Sequence, residues 1–335
     1  MNMEKLLFNN DYNLKFLEFN NFELNLLFNE LKDFYLVYRE SLDLPSTITF
    51  GTELEYDLMY KGLCDNFLAA NNLINWISKR DKSLIFGGEI CSPILIDCEK
   101  SWRELKNICD FLTEKHANMR LNSGGHIHIG AKILDNNIDA WKSFLKLYMC
   151  YEHILFRFGY GDKVNGRRNM DIFSKRCAEK LFDNLKFIEQ SNTLEDLHYS
   201  LEDKQGNMYA LNFNHIRFNE NYNHRFHTIE FRFPNASNNE IIWQNNINVF
   251  SKMILSCLSG KIDNDLLNNK LKENFNEHNE LKYNLMILED ALEFADLVFD
   301  NNLDKMYFLR QYFKNFEYYV GKCHGVIAKN FTLKK

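Results

Sequence analysis

An α+β fold is what this sequence predicts, and three observations predict it. Segments with a side-chain period of two lie at 47–60, about 126–132, 208–214 and 225–233. Longer segments with apolar residues at helical spacing separate them. Both ends of the chain are helical in pattern. Strands interleaved with helices, then helices alone, make a core sheet with helices on one side and a helical C-terminal extension.

In chain order, "NNFELNLLFNELKDFYLVYRESLDLPS" sets Phe22, Leu26, Leu27, Leu31 and Phe34 at helical spacing, and Pro45 closes the segment. "TITFGTELEYDLMY" then turns to strand alternation. "SWRELKNICDFLTEKH" opens on Ser101 and Glu104 in the spacing of a capping box, and Trp102, Leu105, Ile108, Cys109 and Leu112 form one apolar stripe. After the strand at 126–132 comes a long helix, with Asp139 expected as N-cap and Gly159 as the C′ residue. "GYGDKVNGRRNMD" reads as a loop. "NNEIIWQNNINVFSKMILSCLSG" returns to helix and stops near Gly260, and 261–335 is expected to be helical. The expected division is a helical segment 1–45, a core 46–260 and an extension 261–335. The abundant asparagines read as compositional bias, and no internal repeat is visible.

Composition narrows the function. A 45% hydrophobic content with 29 phenylalanines and three prolines supports a sizeable core in a chain of 335 residues. The net charge of −6 argues against a nucleic-acid footprint. No stretch reaches the roughly 18 apolar residues of a membrane helix, and "MNMEKLLFNN" lacks the features of a signal peptide. Eight cysteines without a C-x-x-C read as buried thiols of a cytoplasmic protein.

Three of the expected strands share an unusual pattern. Residues i and i+2 of a strand face the same way. Glu53 and Glu55 therefore point together with Leu54 opposite, and His126 and His128 with Ile127 and Ile129 opposite. Glu230 and Arg232 share a face with Ile229, Phe231 and Phe233 opposite. Any one pair is most simply a solvated strand face. Their coincidence, with Glu89 set between Gly-Gly and Cys-Ser-Pro in "GGEICSP", points to one cleft. Four glutamates in a cleft repel one another unless cations compensate, and carboxylates with an imidazole suit Mg²⁺ or Mn²⁺. So many ligands imply at least two ions with a polyphosphate between them, and Arg232 suits a phosphate. Gly124 and Gly125 permit close approach of a ligand to the backbone, without the spacing of a P-loop.

The ordered set "FGTELEYD", "GGEICSPI", "SGGHIHIG", "NGRRN", "YALNF" and "TIEFRFP" resembles the amidoligase family, related to glutamine synthetases and glutamate–cysteine ligases, over about residues 48–250. The resemblance implies a glutamine-synthetase-like curved antiparallel sheet, helices packed on its outer face, and ATP with two or more Mg²⁺ or Mn²⁺ ions on the concave face. It implies metal ligation by Glu53, Glu55, Glu89, His126 and Glu230. His128, Arg168 and Asn212 are implied near the nucleotide or substrate, and Arg232 on the transferred phosphoryl group, with Glu55 and Glu230 sharing in catalysis. This chain departs from the family pattern after "NGRR", where it reads "NMDIFSKR", and after "EFRF", where "PNASNNE" replaces a Gly-Thr turn. The implied reaction is ATP-dependent joining of a small-molecule or peptide carboxylate to an amine through an acyl phosphate, with a homo-oligomer compatible. The competing readings are a metal-dependent amide hydrolase built on the H-x-H strand, a catalytically silent nucleotide-binding relative, and a thiol enzyme using Cys91 or Cys98.

Overall fold

The alternating segments pair into one antiparallel sheet of six strands in a computed structural model. It describes residues 3–81, 83–84, 86–119, 122–163, 165–201, 209–216, 227–275 and 288–314. The strands are β1 (Phe50–Asp57), β2 (Ile77–Lys79), β3 (Gly87–Cys91), β4 (Gly125–Gly130), β5 (Leu211–Asn212) and β6 (Thr228–Phe231). Their spatial order is β2-β3-β1-β4-β6-β5. The α+β class therefore holds. The two later strands are shorter than their sequence patterns, and part of each pattern (residue 208, and 225–226) lies outside the described residues.

One face of this sheet is a hydrocarbon surface. Leu54, Ile90, Ile127, Ile129, Ile229 and Phe231 have no exposed area. Helices cover them: Phe231 stacks on Phe250 of the Glu240–Leu258 helix at 4.1 Å between ring centroids and meets Phe144 of the Ile138–Gly159 helix edge-on at 6.3 Å. Phe50 stacks on Trp102 of the Glu99–Glu114 helix at 4.9 Å. Full burial of side chains of this size stabilises by about 1.5–3 kcal/mol each, so the sheet's other face is left to polar groups.

Several helix ends differ from the sequence expectation. The Ser101–Glu104 capping box does not form. That helix starts earlier, after Cys98, because Asp97 accepts from Trp102 Nε1 at 2.6 Å, and Glu104 is engaged instead by Trp76 Nε1 at 2.9 Å. Asn137 replaces Asp139 as N-cap, accepting from Ala140 N at 3.1 Å. Gly159 lies inside its helix, and the left-handed residue beyond the end is Gly161, at φ +62°. A capping box does occur at Asn20 and Glu23, starting the Asn21–Asp33 helix; there Leu24 is buried and Phe22 is 71% exposed, against the expected stripe.

The asparagines do carry a mechanism. Gln244, Asn245, Asn246 and Asn248 are buried. Asn245 donates to Tyr307 O and Gln311 Oε1, Gln311 donates to Asn246 Oδ1, and Asn248 donates to Asp304 Oδ1. Gln244 brackets the main chain of Arg39. These bonds fix the Asn302–Tyr312 helix against the core. The N-terminal segment joins the same layer, since Arg39 pairs with Asp304 at 2.7 Å and Arg310 Nε donates to Phe34 O. The 261–314 region is helical where described, at Asn264–Asn274, Leu288–Val298 and Asn302–Tyr312. The "GKCHG" stretch at 321–325 lies outside the described residues. Among the described residues no helix is long and apolar enough to cross a membrane.

Asp290 gives this helical layer a pH dependence. His153 Nε2 lies 2.7 Å from its Oδ2, and Lys270 Nζ lies 2.7 Å from its Oδ1. Burial raises its proton affinity, but the His153 hydrogen bond and the Lys270 charge outweigh that, and the carboxyl sits below its usual range. A carboxyl depressed by folding contributes stability that is complete above its unfolded value, near pH ~4, and is lost as pH falls through the folded value. Asp290→Asn is therefore expected to flatten the acid limb of stability against pH. Urea midpoints between neutral and acid pH would read this, and an unchanged slope would deny Asp290 the role.

Candidate metal centre and active site

Directly opposed residues in an antiparallel pair point to the same side of the sheet. Glu53 of β1 opposes His126 of β4 and Cys91 of β3, and Glu55 opposes Glu89. His128 opposes Glu230 of β6, which in turn opposes Asn212 of β5. All these side chains therefore leave the sheet on the face away from the helices, and they meet there.

The centre of the group is His126. Its Nδ1 lies 3.2 Å from Glu53 Oε2 and 3.6 Å from Glu230 Oε1, and its Nε2 lies 3.3 Å from Glu55 Oε1. His128 Nε2 is 3.4 Å from the other oxygen of Glu53, and its Nδ1 is 3.3 Å from Thr228 Oγ1. Asn212 Nδ2 donates to Glu230 Oε2 at 2.7 Å, and Arg232 pairs with Glu230 Oε1. Glu89 stands further out, 3.4 Å from Lys79 Nζ. A cavity of about 220 Å³ opens over the group, and Asp81, Ser83, Asn122 and Phe173 complete its wall.

The electrostatics match the contacts. Burial raises the proton affinity of Glu53, but hydrogen bonds from His126 and His128 outweigh it and hold the carboxyl far below its usual range. Burial alone would lower His128; its bond to Glu53 and the charge of Glu230 reverse the sign. Glu89 is raised by burial and by the charge of Glu53. Burial, then the charges of Glu53 and Glu89, push the Cys91 thiol up to about 12. Cys91 thus stays protonated near neutral pH, which removes it as a nucleophile.

Glu53, His126 and Glu230 each offer a ligand atom, and those atoms lie within 4.8 Å of one another. Two carboxylates and an imidazole are a donor set for Mg²⁺ or Mn²⁺. Buried His126 Nε2 and His128 Nε2 have no aligned hydrogen-bond partner, as expected of groups whose arrangement serves something besides the fold. The residues fit a divalent cation.

Arg167 is half of the basic pair in "NGRRN" whose second member, Arg168, is the one expected at the site. Arg168 is exposed on a turn, whereas the Arg167 guanidinium is buried in the cavity wall, 3.5 Å from Glu55 Oε2 and donating to Arg232 O at 3.0 Å. Nothing in "GRRN" distinguishes the two. The Gly-Gly pair is explained by the same contact. A Cβ at Gly124 would sit 1.5 Å from Arg167 Nη1, and one at Gly125 would sit 2.7 Å from Asn235 O. What approaches these glycines is the chain's own Arg167 and Asn235. Of the other histidines, His215 lies edge-on to His128 at 5.8 Å between ring centroids; His224 is outside the described residues.

The sheet thus carries helices on one face and a carboxylate–imidazole–guanidinium group on the other, and within that group Glu53, His126 and Glu230 could hold a cation. The chain belongs to the amidoligase family, whose model, described as "Putative amidoligase enzyme", matches residues 47–254. That span takes in all six strands and ends within the Glu240–Leu258 helix. Among curated proteins none matches the chain. Membership places it among ligase-type enzymes.

Proposed function

We propose that this protein is an ATP-dependent carboxylate–amine ligase that forms an amide or peptide bond through an acyl phosphate, on a glutamine-synthetase-like sheet. The observation that carries the proposal is the convergence of Glu53, His126 and Glu230 beside Arg232, in a chain of this family. When bound, Mg²⁺ or Mn²⁺ would offset phosphoryl charge. Glu53, His126 and Glu230 would hold one ion. Glu89, whose raised proton affinity marks an undercompensated carboxylate, would serve a second.

The substrate carboxylate attacks the γ-phosphorus of ATP, and the bond to ADP breaks. The amine nitrogen then attacks the acyl carbon, phosphate leaves, and the nitrogen loses a proton. Arg232, held by Glu230, would steady the phosphoryl oxygens during transfer, which is where positioned charge matters most. His128, at the edge of the group, would contact the phosphates, and Asn212 keeps Glu230 in place. A cytoplasmic setting belongs to this proposal and is supported by the seven cysteines among the described residues, none of which is in a disulfide.

The test is a hydroxylamine trap. Protein, ATP, Mg²⁺ and a pool of candidate carboxylates should yield hydroxamate and phosphate in equal amounts. EDTA should abolish both products, and Mn²⁺ should restore them. Amide turnover that needs no nucleotide would favour the hydrolase reading, and a pool that gives no ATP-dependent product would favour the silent relative.

A further inference from the structure

One carboxylate of the cavity wall does not come from the sheet. Glu53, Glu55, Glu89 and Glu230 rise from the strands themselves. Asp81 comes from the connection between β2 and β3 and lines the same cavity. Its Oδ1 accepts from Ser83 N at 2.7 Å, which ties the carboxylate to its own turn. Arg167, close enough to feel the charge of Asp81, is ion-paired with Glu55 instead. Phe173 is the one apolar side chain among the residues that line this cavity, and it is 38% exposed. It stands in "NMDIFSKR", where the chain departs from the family pattern.

The ligase reaction leaves a proton to be placed. An alkylamine near neutral pH is an ammonium ion, with no lone pair to attack until a proton has left. A carboxylate bound to a divalent ion is a poor acceptor of that proton, because the ion's charge opposes it. Asp81 is the carboxylate of the wall that carries neither task.

We propose that the amine substrate is a primary alkylamine, that Asp81 receives its ammonium group and takes a proton from it, and that Phe173 covers its carbon chain. This rests on the carboxylate–amine ligase reading. The ammonium gives one proton to the Asp81 carboxylate, and the freed lone pair attacks the acyl carbon. The bond from that carbon to the phosphate oxygen breaks, with its electron pair passing to the oxygen. The second proton of the nitrogen leaves on the phosphate, and Asp81 returns its own to water. A carboxylate at the amine selects an ammonium over a hydroxyl, and an apolar wall selects a carbon chain over the bare ammonium ion.

Hydroxylamine makes the test selective, because it is uncharged near pH 7 and attacks without a base. With n-butylamine and hydroxylamine both present, the two compete for one acyl phosphate, so the ratio of butylamide to hydroxamate isolates the amine step. The carboxylate is one that gives hydroxamate with the wild type, and melting shows each variant folded. Asp81→Asn should lower that ratio by about a hundredfold or more. Phe173→Ala should lower the ratio of butylamide to the primary amide formed with ammonium chloride by about tenfold. An unchanged butylamide-to-hydroxamate ratio in Asp81→Asn overturns the role of Asp81, and a wild type that favours ammonium over n-butylamine overturns the alkylamine assignment. A second measurement needs no carboxylate substrate. Binding of n-butylamine to Mg²⁺-saturated protein, followed by NMR line broadening, should be about tenfold weaker in Asp81→Asn, and equal binding overturns the proposal. If the wild type forms no ATP-dependent product, the ligase reading fails, and this binding measurement still decides whether Asp81 receives an ammonium.

Discussion

Glu53→Gln is expected to abolish ATP-dependent hydroxamate formation, by about a thousandfold or more, while leaving the protein folded. Among the described residues Glu53 is the only carboxylate that touches both His126 and His128, with Oε2 on His126 and Oε1 on His128. Those contacts keep it ionised despite burial. Glutamine keeps the volume and can still meet the imidazoles, but it removes the charge that a divalent ion requires. Loss of an ion that stabilises phosphoryl transfer by several kcal/mol corresponds to at least about three orders of magnitude in rate. The side chain lies at the cavity and outside the apolar core and glutamine keeps its volume, so the fold is expected to survive, with some loss of stability at neutral pH because folding favours the ionised carboxylate. Thermal melting, Mn²⁺ titration and the hydroxamate assay read the three quantities separately. Normal product formation with the correct substrates would sink the ligase mechanism, whatever the ion binds.

Gly125→Ala is expected to destabilise the protein by about 3 kcal/mol and to lower activity with it. The new Cβ would lie 2.7 Å from the main-chain oxygen of Asn235 and 3.0 Å from the Trp243 ring. Neither neighbour can yield easily. Trp243 is buried with its Nε1 bonded to Ser237 O at 2.8 Å, and Gly125 N itself donates to Pro234 O at 2.9 Å. β4 is paired on both sides, so relief requires moving the strand that carries His126. Gly62→Ala is the control. Its Cβ would meet only the Tyr60 ring, which is 64% exposed and can swing aside, and alanine favours the Lys61–Ala70 helix. Urea midpoints should fall for Gly125→Ala alone, and equal midpoints for the two variants would refute the steric account.

Much of the site was legible because alternation along a strand is a local property. Glu53 with Glu55, His126 with His128, and Glu230 with its apolar neighbours Ile229 and Phe231 could be sorted onto faces from spacing alone, since i and i+2 share a side in any β-strand. The helices that cover the apolar face were legible in the same way. The buried amides Gln244, Asn245, Asn246 and Asn248 were not. An amide reads as solvent-facing until its partners are known, and here those partners, Tyr307, Gln311, Asp304 and Arg39, come from the two distant ends of the chain. The helix start at Glu99 was missed for the same reason, because the side chains that set it lie partly outside its own turn.

By itself the sequence determined which residues could act and on which side of each strand they stand. Only the tertiary structure decided who meets whom. The order β3-β1-β4-β6, the register that sets Glu53 against His126 and His128 against Glu230, and the entry of Arg167 in place of Arg168 are all long-range. The physical reason is that side-chain direction follows from the local backbone. Strand pairing and loop docking are chosen instead by the burial of one apolar face and by the pairing of buried charge, which are properties of the whole chain.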